Sequence, residues 1–412
     1  MSDRLTELSA RLEEAGCEAL LVLARSSQDP DLAPFVGAVH LGECQLVAPR
    51  EGLSQGGARL AFLTPMERDE AAATGLSLIS PEDLDHTRWQ SQAFEPPDLM
   101  AWVAARALEL SGVRPGRVAL AGHGPAGVIQ AACARLSRDG WVWVPGNSLI
   151  LNLRKRKTSA EVAGIRAAAE GTAEAMRAVA RLLAAATVTD GGLLLEGEPL
   201  RVERLRSEVG QVLARLGLEQ PKGNIIAPGD EGGVPHSTGT PERVLRAGES
   251  LVVDLYPRNP VSGLFADCTR TFCVGEPSEP LARAHAAVRE ALELSRRRAI
   301  PGVRGWELQE AVCETLGAAG YLTPITTPGT TVGYVHNLGH GVGLDLHEQP
   351  IFKKVSGAEG VLREGDVFTL EPGLYHPEQG FGVRLEDLVW LGADRLENLT
   401  PMPYDLDPRA FL

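Results

Sequence analysis

The chain has 412 residues, 44% of them hydrophobic and 23% charged, with 45 glycines and 28 prolines. That length favours two domains over one, and that composition excludes disorder, collagen and coiled coil as a description of the whole. Forty basic against fifty-four acidic side chains leave a formal charge of −14, which repels a phosphate backbone and an anionic lipid surface alike, so no nucleic-acid and no membrane partner is expected.

In chain order, Leu5, Leu8 and Leu12 recur at helical spacing up to Gly16, and the apolar run Ala19 to Ala24 reads as a buried strand. An apolar strand at 60–63, a helix over 98–110 stopped near Gly112, a strand at 118–120, a helix around 128–136 and a strand at 141–144 complete an α/β amino-terminal half. It has no glycine-rich phosphate loop, GxSxG or HExxH motif, and His40, His86 and His123 read as isolated surface or core residues. The six cysteines are scattered without a CxxC pair, which fits reduced thiols. With a charged amino terminus and no long apolar run, a cytoplasmic location is expected.

The basic stretch Arg154-Lys155-Arg156-Lys157 reads as a solvated linker or a domain interface, and a boundary between domains 1–153 and 154–412 follows. Thr158 and Glu161 match a capping box that opens a long amphipathic helix to about Ala185. A second helix over 199–216 puts Val202, Leu205, Val209, Val212 and Leu216 on one face.

The remainder contains an internal repeat. Gly248-Glu-Ser-Leu-Val-Val-Asp254 is followed thirteen residues later by Asp267, and Gly365-Asp-Val-Phe-Thr-Leu-Glu371 is followed fifteen residues later by Glu386. In each copy a turn glycine starts a strand, an acid ends it and a second acid stands in the returning strand; helices near 279–298 and 305–316 precede the second copy as 159–185 and 199–216 precede the first. A duplicated helix–helix–hairpin unit about a pseudo-twofold axis is expected. Carboxylates that follow apolar strand residues need compensation, because burying a bare anion is costly. Two divalent cations would balance four acids, and an imidazole would complete the ligand set without adding charge. That imidazole is expected from the segment His336 to His347, where three of the nine histidines fall within twelve residues and glycines alternate at 339, 341 and 343.

Together, Asp254, Ala-Asp267-Cys-Thr-Arg-Thr-Phe, Gly339-His340-Gly-Val-Gly-Leu-Asp-Leu-His347-Glu, Thr-Leu-Glu371-Pro-Gly-Leu-Tyr and Gly-Val-Arg384-Leu-Glu386-Asp resemble the creatinase/aminopeptidase P/prolidase metallopeptidases. The resemblance is strong over about 154–400 and rests on size and element order before that. It implies an α/β (α+β) fold: a duplicated pita-bread catalytic domain behind a smaller creatinase-like α/β domain. It further implies that Asp254 binds one metal ion, His340 and Glu371 the other, and that Asp267 and Glu386 bridge both. A bridging water then attacks an Xaa-Pro peptide bond with Glu371 as general base, while His347 and His236 assist at the substrate, and His336 and Arg384 contribute to substrate binding. The oxygen-rich ligand set favours Mn²⁺, with Co²⁺ or Zn²⁺ able to occupy it. A small peptide substrate and a homodimer are also implied. The chain departs from the family pattern at Tyr256, where many members carry glycine, and in a longer turn between Asp254 and Asp267, both of which bear on specificity. The alternatives are a peptidase of other specificity, such as a methionine-removing aminopeptidase, and a non-catalytic binding module on the same fold.

Overall fold

The structure, a computed structural model, describes residues 2–92, 94–190, 192–355 and 360–412. The chain divides into two compact units, one of Met1–Arg154 with Val261–Gly263, the other of Lys155–Pro260 with Leu264–Leu412.

The first unit is built on a six-stranded mixed sheet with the order β4-β3-β2-β1-β5-β6, where β1 is Ala19–Ala24, β2 Cys44–Pro49, β3 Arg59–Phe62, β4 Ser77–Ile79, β5 Arg117–Ala121 and β6 Val142–Pro145. β1 is buried on both faces: Leu20, Val22 and Ala24 pack on one side with Leu5, Leu8 and Leu12 of the helix Ser2–Glu14, and Ala19, Leu21 and Leu23 pack on the other with Val103, Ala104 and Ala107 of the helix Pro96–Leu110. That is why β1 reads as an unbroken apolar run rather than an alternating one. β2 and β4 escape the sequence reading. β2 carries a polar Gln45 and ends in Pro49, and β4 is only three residues long.

The second unit opens on the helix Ser159–Ala185, whose capping box forms as expected: the Glu161 amide donates to Thr158 Oγ1 at 3.2 Å, and the Thr158 amide donates to Glu161 Oε2 at 2.8 Å. A small sheet of Thr187–Thr189 (β7), Gly192–Leu195 (β8) and Glu198–Pro199 (β9) leads to the helix Val202–Arg215. Then come Ile225–Pro228 (β10), Leu251–Leu255 (β11) and Cys268–Phe272 (β12), ordered β10-β11-β12 and antiparallel throughout. The helices Glu279–Arg298 and Gly305–Ala318 precede the second sheet, which runs β14-β13-β15-β18-β19; β13 is His340–Gly341, β14 Glu348–Ile351, β15 Val367–Leu370, β18 Asp387–Leu391 and β19 Leu396–Asn398. Val202 and Leu205 belong to one hydrophobic core with Leu251 and Val253, whereas Leu308 and Val312 belong to another with Phe368 and Leu370.

The duplication is richer than a helix–helix–hairpin unit. Each half contributes a third strand, β10 beside β11 and β13 beside β15. In the second half the interval between the two acids is a separate two-stranded hairpin, Gly373–His376 (β16) against Phe381–Arg384 (β17).

The basic stretch is not solvated. Arg154, Lys155 and Lys157 are buried and only Arg156 is exposed. Lys155 Nζ lies 3.7 Å from Asp366 Oδ2, and Lys157 Nζ donates to Glu348 Oε1 at 2.6 Å. These lysines neutralise acids inside the second unit, so the cluster of like charge marks internal pairing rather than a free surface.

Candidate metal centre

The duplicated strands bring their acids to one place because each stands at a strand end. Asp254 is the fourth residue of β11, Asp267 directly precedes β12, Glu371 directly follows β15 and Glu386 directly precedes β18. Asp254, Asp267 and Glu386 are almost fully buried, and Glu371 and His340 are largely so. His340 Nε2 lies 3.4 Å from Glu371 Oε1 and 3.7 Å from Asp267 Oδ2. Asp267, His340 and Glu386 each offer a ligand atom, all within 4.8 Å of one another.

Burial raises the Glu371 carboxyl to about 8, and burial followed by the neighbouring acids pushes Asp267 and Glu386 well above the usual carboxylate range. Burial and His347 hold His340 down at about 3, so its imidazole is neutral and available as a ligand. Asp254 Oδ1 and Asp267 Oδ1 are buried and accept no hydrogen bond. Crowded acids, orphaned carboxylate oxygens and a neutral imidazole together form a donor set that fits divalent cations, and the residues present satisfy that requirement.

The segment carrying His340 is fixed by close backbone contacts. A Cβ on Gly339 would collide with the Thr369 carbonyl oxygen, and one on Gly341 with the Gln349 carbonyl oxygen. These glycines are where β13 must slot between β14 and β15. The His347 ring stands edge-on to the His340 ring at 4.2 Å, and burial lowers the His347 pKa. The Asp345 amide donates to Glu348 Oε2 at 3.3 Å, so the Lys157–Glu348 pair secures the same loop.

Arg384 is the hub of the polar network. Its Nη2 donates to Asp254 Oδ2 at 2.6 Å, its Nη1 to the Tyr375 hydroxyl at 2.8 Å and its Nε to Thr269 Oγ1 at 3.2 Å, and Thr269 in turn donates to Glu386 Oε2 at 2.7 Å. Because the Tyr375 hydroxyl accepts from Arg384, it donates to His336 Nε2 at 2.8 Å, which leaves the His336 proton on Nδ1, 2.7 Å from the Asn337 carbonyl. Burial pushes His336 down to about 4, consistent with a neutral ring. Fully buried Arg270 donates through Nη1 to the Glu386 carbonyl and through Nη2 to Asp387, setting the strand end from behind.

A cleft of about 600 Å³ opens over this cluster. All nine residues expected from the sequence line it: Asp254, Asp267, His340, Glu371, Glu386, His236, His336, His347 and Arg384. Tyr256 lines it too, and burial with the field of Asp254 and Asp267 moves its hydroxyl well up. Sequence reasoning assigned no role to Tyr375, Thr269 or Gln309; the first two stand inside quoted motifs, and Gln309, whose Nε2 donates to the His336 carbonyl at 3.2 Å, carries no local signal.

The amino-terminal unit holds two lesser features. His123 is not isolated: its Nδ1 lies 3.0 Å from Asp29 Oδ1, beside Asp31. The oxygens there already accept from the Asp31, Gly122 and His123 amides and from Asn147, so the group reads as a loop clamp. An apolar cavity of about 340 Å³ has, among the described residues, one acid on its lining, Glu43, paired with Arg25.

The profile of metallopeptidase family M24 matches residues 163–393. The chain is 32% identical over 265 residues to an Xaa-Pro dipeptidase of Pyrococcus furiosus, an alignment covering 63% of this chain and 67% of that one; further curated relatives align over about half of their own length. Among solved structures, the prolidase of Pyrococcus horikoshii OT3 superposes with a TM-score of 0.73 at 22% identity, covering 98% of this chain and 99% of that one. The X-Pro aminopeptidase of Thermotoga maritima MSB8 superposes with a TM-score of 0.71 at 21% identity and the same coverage. These likenesses show the pita-bread arrangement behind an amino-terminal α/β domain, and the profile match over more than half of the chain adds the family. The chain belongs to metallopeptidase family M24.

Proposed function

We propose that the protein hydrolyses Xaa-Pro peptide bonds, with two divalent cations, Mn²⁺ foremost, held by Asp254, Asp267, His340, Glu371 and Glu386. The observation that carries the reading is the convergence of all nine expected residues on one cleft, together with the Xaa-Pro dipeptidase relative. Such cations, when bound, polarise a scissile carbonyl and acidify water. Glu371 accepts a proton from the attacking water and passes it toward the leaving nitrogen, a task open to a carboxylate that lines the cleft beside His340. His347 and His236 face the same cleft and hydrogen-bond the substrate as charge develops. His336, oriented by Tyr375, flanks the proline, and Arg384 orients Asp254. The boundary of the two domains falls near residue 154 in this reading, a reducing cytoplasm suits the six unpaired cysteines, and the assembly is a homodimer.

The test is hydrolysis of Ala-Pro and Ala-Pro-Ala by metal-stripped protein before and after Mn²⁺ is restored. Metal-dependent release of alanine from either peptide is expected. No release from either after loading overturns the reading.

A further inference from the structure

The cleft over the acids does not end at His336. A second groove of about 420 Å³ adjoins it and shares four lining residues with it: His336, Asn337, Phe352 and Lys353. Beyond that seam lies an apolar shelf of Trp306, Ile325 and Val335. Ile325 is 53% exposed, a large aliphatic side chain left open to solvent beside an indole. Lys354 Nζ stands 5.0 Å over the Trp306 ring, and among the described residues the groove carries Lys353 and Lys354 against the acid Glu310. Its floor is fixed in advance: Gln309 donates to the His336 carbonyl and accepts from the Tyr334 hydroxyl at 3.0 Å. A preformed groove with an apolar lining and cations at its edge suits an extended peptide whose carboxyl end lies away from the acid cluster.

We propose that this groove holds the residues that follow proline in the substrate, with preference for an apolar or aromatic side chain immediately after it, so that the enzyme removes the amino-terminal residue from peptides longer than two. The inference rests on the Xaa-Pro reading, in which His336 flanks the proline. A substrate continuing past that histidine runs directly over the Phe352–Lys353 seam onto Trp306 and Ile325. A dipeptide leaves the shelf empty and forgoes its burial.

The experiment compares kcat/KM of the Mn²⁺-loaded enzyme for Ala-Pro, Ala-Pro-Gly and Ala-Pro-Phe. Ala-Pro-Phe is expected to exceed Ala-Pro-Gly by about 10-fold, the size of a modest apolar-pocket preference. In Trp306→Ala, and in Ile325→Asp at an exposed position with little bearing on folding, the ratio of Ala-Pro-Phe to Ala-Pro should fall by about 10-fold. Equal values for the three peptides, or variants that leave the ratio where it was, overturn the groove while the Xaa-Pro reading stands. Cleavage of none of the peptides overturns that reading and the groove with it.

Discussion

Arg384 and Asp254 form a buried ion pair at 2.6 Å, and the same guanidinium reaches Tyr375 and Thr269, so one side chain ties a proposed metal ligand to the residues that orient His336 and Glu386. A lysine offers no planar fork and keeps only part of this set. Arg384→Lys should therefore lower kcat/KM by at least about 10-fold with the fold retained, and Arg384→Ala should destabilise the metal-free protein by about 3–5 kcal/mol, because it strands a buried carboxylate. Denaturant unfolding of both variants beside steady-state kinetics is the check, and wild-type values for Arg384→Lys would remove the hub role.

Glu371→Gln keeps the shape of the side chain and removes its basicity. Turnover is expected to fall by about 10²–10⁴-fold with an unchanged circular dichroism spectrum. Metal content measured on the same sample separates lost proton transfer from lost metal. A variant that turns over normally would exclude Glu371 as the base.

The stability of the metal-free protein should fall as pH rises, and the stabilisation by metal should grow. Glu371 has its carboxyl raised from 4.5 to about 8, and Asp267 and Glu386 are pushed the same way. Between those two values the folded metal-free protein keeps a proton that the unfolded chain has released, so its stability falls as pH rises through that window. The buried histidines, lowered from 6.5, act below that pH, where protonation of the unfolded chain weakens the fold. Scanning from about pH 7.5 to 8, where histidines of the unfolded chain are almost fully neutral, therefore reads mainly the carboxylates. Metal-stripped protein should lose melting temperature across the scan, and the gain on adding Mn²⁺ should grow, since the ligands must be ionised to bind it. A flat apo profile would count against the crowded acids.

Lys157 and Glu348 are side chains 2% and 1% exposed and paired at 2.6 Å. Lys157→Met leaves Glu348 charged and buried, at a cost of about 3–5 kcal/mol. Adding Glu348→Gln should recover part of that loss, a coupling that a double-mutant cycle measures. Simple additivity of the two changes would show that the pair does not act as a unit.

The acids of the site were legible because Asp254 and Glu371 each end an apolar strand run begun by glycine, and the pattern repeats. The alternating glycines of 339–343 were legible for the same reason: the sequence signal is local, and their backbone contacts explain it. What escaped depends on partners far along the chain. Lys157 meets Glu348 at a separation of 191 residues, so the basic stretch resembled a solvated linker until its partners were visible. Tyr375 sits four residues after Glu371, yet its role exists only because Arg384 and His336 arrive from other segments. The third strand of each half is short and, at His340–Gly341, lacks any strand-forming composition.

The buried lysines also say where a self-sufficient catalytic fragment must begin. The family profile starts at residue 163 and the first long helix at Ser159, either of which looks like a natural point of truncation. Cutting at either place discards Lys155 and Lys157, leaves Asp366 and Glu348 without their cations, and removes the amide that donates to the Gly365 carbonyl at the start of the second strand pair. The shortest piece that keeps its charges matched starts before Lys155.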